Sequence, residues 1–314
     1  MKRAVTLIWL LVAALALLFI VLVSGFDFDY VIPKRLARLA AIGIGGVCVA
    51  ASAITFQTIA GNRILTPAVM GYEAVYLLLQ SLLILLVGMQ SLSVLGQHGN
   101  FSLSILVMLG YSLALQHWLF RDGRNNVVFL LLLGLALTMV LGTFTQFIQL
   151  SISPGEFAML QGYGQASFNK AQPAQLVVAG LLVVAVCLVL RNTLATLDVL
   201  ALGREQASSL GVDYRRSVQL QLGLIAVLVA VSTSLLGPTA FMGIFVANTS
   251  YALAGTGRHR VTLPLGCAIA ILMFLLAQLL VEHVFNYKTT VGILVNLACG
   301  AYFLVLMVRK RGTA

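Results

Sequence analysis

The residues with chemistry to offer fall into three groups, and none has the make-up of a catalytic centre. Leu202-Gly203-Arg204-Glu205-Gln206-Ala207-Ser208-Ser209-Leu210-Gly211-Val212 is a polar, charge-bearing, helix-capable segment between long apolar runs. Such a segment is where a soluble partner can push on machinery held in a membrane. Lys34, Arg35 and Arg38 cluster ahead of another apolar run. A guanidinium is always charged and pairs bidentately with a carboxylate, so the cluster suits an acidic partner, or lipid headgroups at a membrane boundary. Gly43, Gly46, Ala50, Ala53 and Gln57 recur at steps of three and four and make one small-residue stripe on a helix. The stripe either lets a second helix approach closely or faces a translocation path; Gln57 either bonds a neighbouring helix or lines an aqueous entry.

Enzymatic and metal chemistry find no foothold. Cys48, Cys187, Cys267 and Cys299 sit singly in apolar runs, without CxxC spacing, and read as packing residues. His98, His117, His259 and His283 are scattered, with no HExxH arrangement, and no metal ligand set is expected. The sequence has no G-x-x-x-x-G-K-[ST] phosphate loop, so ATP and Mg are expected on another polypeptide and no cofactor on this one. The nine Asp and Glu residues lie mostly at span ends or in loops. That placement argues against an ion-driven secondary transporter, which needs ionisable groups in mid-span.

The chain that positions these groups has 314 residues, 61% hydrophobic and 9% charged, with a mean hydropathy of +1.04. It reads as an all-α polytopic membrane protein made of a single domain, 1–314, in which 192–216 is the cytoplasmic segment. Apolar runs and their breakers predict ten spans, near 4–24, 39–58, 68–88, 101–120, 126–150, 174–191, 217–236, 241–254, 262–283 and 290–308. The eighth is short and follows Gly237-Pro238, which suits a half or broken helix. The first apolar run is long for a signal peptide and Val23-Ser24-Gly25 is a poor cleavage site, so a retained span is expected.

With both termini cytoplasmic, most of the 19 Lys and Arg residues fall on the inner side, leaving Lys34, Arg35, Arg38, Lys170 and Lys288 outside. The net charge of +10 is then explained by topology, without a nucleic-acid partner. Residues 151–173 form the longest polar stretch on the outer face and are expected to be a re-entrant or capping loop.

Several of these motifs resemble those of one family. Gln57, Asn62, Pro67 and Gly71 have the spacing of the Q-x4-N-P-L-A-x-P-x3-G segment of the iron-siderophore and vitamin B12 permease family of ABC importers (FecCD-like), with Arg63 in place of the first Pro. Arg35-Leu36-Ala37-Arg38 is similar to the family's Arg-x-Pro-Arg, and 202–212 resembles its L-G-x-E-x-A-x-S-L-G-V motif, the strongest match of all. Gly237 to Asn248 resembles G-P-I-G-F-V-G-L-x-V-P-H, with Ala247-Asn248 for Pro-His and Tyr251 where Arg is frequent. Gly257-Arg258-His259-Arg260 with Leu263-Pro264 is similar to G-x-D-H-R-x-x-L-P, and Glu282 stands where the family has Arg. Thr239 and Asn248 are departures associated with the branch for catecholate-type ferric siderophores.

The resemblance implies a type II ABC importer permease in a bacterial cytoplasmic membrane, moving a ferric siderophore, with vitamin B12 or haem as alternatives. It implies that Leu202, Gly203, Glu205, Ala207, Ser209, Leu210 and Gly211 couple to ATP-binding subunits. It also implies that Lys34, Arg35 and Arg38 receive carboxylates of a periplasmic or lipid-anchored binding protein. Gly46, Ala50, Gln57 and Asn248 are the candidates for the translocation path. The departures at Ala37 and Glu282 favour a heterodimer with a second permease, and Glu282 is read as a satisfied acid or as a partner contact.

Overall fold

The computed structural model describes residues 2–21, 29, 31–88, 91–121, 127–239 and 241–311. Among them the chain is helical, without a strand. The long helices are α1 (Lys2–Val21), α2 (Val31–Ala60), α3 (Tyr72–Val87), α4 (Ser91–Arg121) and α5 (Val127–Gln149). A short α6 (Pro154–Tyr163) precedes α7 (Pro173–Asn192), and α8 (Leu194–Leu200) and α9 (Arg204–Ser209) lead into α10 (Tyr214–Leu236). The chain closes with α11 (Met242–Ala254), α12 (His259–Leu279) and α13 (Val291–Arg311). Six segments are long and apolar enough to cross a membrane, in α2, α4, α5, α7, α10 and α12, and four shorter apolar helices accompany them. Val23-Ser24-Gly25 and Arg124 lie outside the described residues, as do the side chains of Lys2, Arg3, Arg121, Arg309, Lys310 and Arg311.

The centre of the bundle is α2, packed between α10 and α12. Its small residues are what permit this. A Cβ on Gly46 would stand 2.6 Å from the Ile271 side chain and 3.0 Å from its backbone nitrogen, so α2 and α12 meet nearly backbone to backbone. Ala50 is fully buried on the same face, beside Gly266 of α12. At Gly46 and Ala50 the stripe therefore packs closely inside one subunit, whereas Gly43 has open space about it.

α2 also begins at Val31, eight residues before the expected span start at 39. Pro33 does not prevent this, because a proline in the first helical turn interrupts no hydrogen bond. Lys34, Arg35 and Arg38 thus ride on the first turns of a rigid helix instead of a preceding loop.

Two breaks interrupt the apolar helices. A single 3₁₀ turn, Pro67–Met70, ends at Gly71 with φ 86°, where a Cβ would lie 2.8 Å from the Tyr111 hydroxyl. Between α10 and α11, Gly237 has φ 102° and approaches the Gln165 carbonyl to 3.0 Å at its would-be Cβ. The loop 151–173 caps one end of the bundle and carries its own helix, α6, started by a capping box between Ser153 and Glu156. Ser167 N donates to Leu236 O at 2.9 Å and Gly292 N to Ala166 O at 3.3 Å, while buried Phe168 meets Phe274 edge-on.

Candidate coupling and docking sites

α9 is short and held from both ends by backbone geometry. Gly203 has φ 98° and ψ 170°, a region essentially reserved for glycine, and turns the chain from α8 into α9. At the other end Val212 N donates to Ala207 O and Gly211 N to Ser208 O, each at 3.0 Å, with Gly211 at φ 83°. These paired bonds form a Schellman cap, with Ala207 and Val212 at its apolar contact positions. Ala207 is fully buried beneath α9, and Ser209 Oγ donates back to Glu205 O at 3.0 Å. Glu205 is exposed, and Leu202 and Leu210 are 56% and 63% exposed at either end of the turn. The result is a compact knob with an apolar rim. Asp213 then caps α10 by accepting from Arg216 N at 3.1 Å.

A histidine ties this knob to the core. His259, 2% exposed at the start of α12, places Nδ1 2.6 Å from Asp198 Oδ1 of α8, and its backbone N donates to the same oxygen at 2.9 Å. Its Nε2 lies 2.8 Å from Thr58 Oγ1 on α2. The Thr58 hydroxyl proton is already committed to Ile54 O at 2.9 Å, so its oxygen is the acceptor for an Nε2–H. The ring therefore bridges three helices, α8, α2 and α12. Sequence reading took His259 as one of four scattered histidines; its partners are distant in the chain, so no local spacing announces them.

On the opposite face, the expected docking triplet is split. Arg35 is buried, at 5% exposure: Nη1 donates to Phe19 O of α1 at 2.6 Å and Nη2 to Glu282 Oε1 at 3.0 Å, with the guanidinium 5.7 Å from the Phe19 ring. Arg38 stays at the rim, donating to the Tyr287 hydroxyl at 3.3 Å and standing 3.8 Å from Glu282 Oε2. Lys34 is exposed. Glu282 sits in a π-helical turn, Leu280–Val284, that re-aims the end of α12 toward α2. Its Oε1 pairs with the very arginine expected to face outward, while its buried Oε2 has no hydrogen-bond partner among the described residues.

Gln57 is 2% exposed, and its amide oxygen and nitrogen find no hydrogen-bond partner among the described residues. Asn248 is committed elsewhere, its Nδ2 donating to Arg63 O and Ile244 O at 2.9 Å each.

Residues 12–309 match the FecCD transport family. The chain belongs to that family. Among its relatives, the petrobactin import system permease YclO of Bacillus subtilis is 35% identical over 284 residues, covering 90% of both chains. FatC, a petrobactin import permease of Bacillus anthracis, is 33% identical, covering 91% of this chain and 80% of its own. The hemin permease HmuU of Yersinia pestis stands at 27%, covering 88% and 82%. A solved metal-chelate type ABC transporter in an inward-facing conformation superposes with a TM-score of 0.86 at 19% identity, covering 98% of this chain and all of that one. This likeness gives the fold, and the FecCD family is one of transport permease subunits.

Within the FecCD pattern, three departures of this chain meet in space. Asn248 holds the Arg63 carbonyl, and the Arg63 guanidinium stacks 4.8 Å over the Tyr251 ring. A cation over an aromatic face and an amide on a carbonyl together latch the loop after α2 onto α11. The three residues thus form one connected contact.

Proposed function

We propose that this chain is the transmembrane permease subunit of an ATP-driven importer that carries a ferric siderophore across the bacterial cytoplasmic membrane, with both termini inside. Two petrobactin permeases at 35% and 33% identity make ferric petrobactin the first cargo to test. ATP and Mg are handled by separate ATP-binding subunits, a second permease completes the path, and a binding protein delivers the chelate from outside. The permease contributes gating and no covalent chemistry.

The observation that carries this reading is the exposed α9 knob, clamped by Gly203 and Gly211 and joined through α8 and His259 to α2 and α12. Such an element passes on a rigid-body displacement instead of absorbing it. Replacing Glu205 and Leu210, or placing Asp at Leu202 and Leu210, is expected to abolish both ATPase co-purification and uptake of iron-labelled ferric petrobactin. Unchanged association with unchanged uptake would overturn the assignment. Competition by hemin or vitamin B12 distinguishes the cargo alternatives, and uptake in vesicles lacking an ATPase would point to an ion gradient.

A further inference from the structure

Glu73 is placed differently from the other acids. It lies in the first turn of α3, directly after the Gly71 break, and its Oε1 accepts the backbone N–H of Thr239 at 3.0 Å. Thr239 belongs to the second break, between α10 and α11. The two interruptions of the apolar helices therefore converge on one carboxylate across 166 positions of sequence. Within a bilayer, non-helical backbone survives only where protein buries it or where it lines a cavity, and an ionisable side chain at that depth marks a functional position.

Both conditions lead into the same space. A cavity of about 590 Å³ is lined by Glu73, Thr66, Thr138, Thr145, Gln146 and Phe241 among others. The residues from α5 recur at helical spacing and put one polar face on a helix that is the least buried of the six long spans, at 17%. This face also packs Thr138 against the 3₁₀ turn, its Oγ1 3.4 Å from Val69 O. Its hydroxyl protons are also spent: Thr138 Oγ1 donates to Gly134 O at 2.7 Å and Thr145 Oγ1 to Leu141 O at 2.9 Å. Thr138 and Thr145 therefore turn acceptor oxygen toward the cavity beside the Glu73 carboxylate, and Gln146 adds an amide that can accept there as well as donate.

We propose that Glu73 faces the cargo as the charged member of an acceptor-lined subsite, which takes the cationic or hydrogen-bond-donating portion of an iron chelate. The proposal rests on the reading of the chain as a chelate permease. Broken helices meeting at depth are how many transporters build a substrate site, and here the acceptor chemistry sets which part of the cargo fits.

The test uses the complete importer in proteoliposomes, with Gln146→Cys labelled by water-soluble methanethiosulfonates, one cationic and one anionic, against the parent chain's own cysteines as background. Labelling of Gln146→Cys is expected, faster with the cationic reagent, and Glu73→Gln should erase that preference while keeping an acceptor for Thr239. Uptake of ferric petrobactin should fall about tenfold in Glu73→Gln, the scale of one lost charged hydrogen bond, with partial recovery in Glu73→Asp. No labelling in any nucleotide state, or a charge preference untouched by Glu73→Gln, would overturn the subsite. An importer that labels as expected yet moves no ferric petrobactin would remove the cargo assignment and leave the subsite standing.

Discussion

At the scale of single residues, the buried pair of Arg35 and Glu282 behaves differently from a surface salt bridge. Its side chains are 6% and 13% exposed, so removing one partner strands a charge away from water. Glu282→Ala is expected to destabilise the protein by about 3 kcal/mol, read as a lower thermal midpoint in detergent, and Arg35→Ala/Glu282→Ala should lose less than the two single changes combined. A strictly additive double mutant would show that the pair is not coupled. His259 gives a second residue-scale prediction. His259→Ala removes contacts to Asp198 and Thr58 and should lower uptake about tenfold or more, the hydrogen bond to the Asp198 carboxylate alone being worth about 1.5–3 kcal/mol. Because the α9 surface is untouched, the ATP-binding subunit should still co-purify; loss of that association would instead mean that His259 supports the shape of the knob. These partners were not legible in the sequence, where Arg35 and Glu282 are 247 positions apart and Asp198 and His259 are 61 apart. Charge is visible in a sequence, but which opposite charge it meets depends on how helices cross.

At the scale of elements, the features that could be read were those determined locally. The α9 segment was legible because its helix, its buried alanine and its terminal glycine lie within a few residues of each other. Gly211→Ala tests the cap: nothing crowds a Cβ there, so the cost is that of a positive φ alone, about 1–2 kcal/mol. The expected result is faster amide exchange in 204–212 and weaker ATPase stimulation, with normal exchange in α2. The start of α2 was misplaced for the complementary reason: a stretch bearing three basic residues and a proline scores as loop, yet tertiary contacts to α1 and α12 hold it helical. α6 adds a pH dependence. The Ser153 amide and hydroxyl keep the Glu156 carboxyl below the usual carboxylate range. Its folded value is depressed, so this capping contribution is present above about pH 4 and is lost as the pH falls through the folded value. Exchange at the α6 amides should accelerate in that acid window, and Ser153→Ala should weaken the dependence while the backbone amide keeps part of it.

At the scale of the whole molecule, the all-helical architecture followed from hydropathy, since every backbone group in a bilayer needs an internal partner and helices supply one. The central position of α2 did not follow, because a small-residue stripe looks the same whether it faces a neighbour or a path. At Gly46 the neighbour is α12: Gly46→Leu would push α2 from the Ile271 backbone, and loss of folded protein on size-exclusion chromatography is the expected outcome.

The manner in which α9 is held has a consequence for how such transporters diversify. Its seat is made by Gly203, Gly211 and the buried methyl of Ala207, while the outward side chains bear little of the fold's weight. Attachment and recognition are thus written in separate residues. On the proposed coupling role, an exchangeable address label on a fixed mount would let a permease acquire a new motor by surface changes alone, with the membrane bundle left as it was.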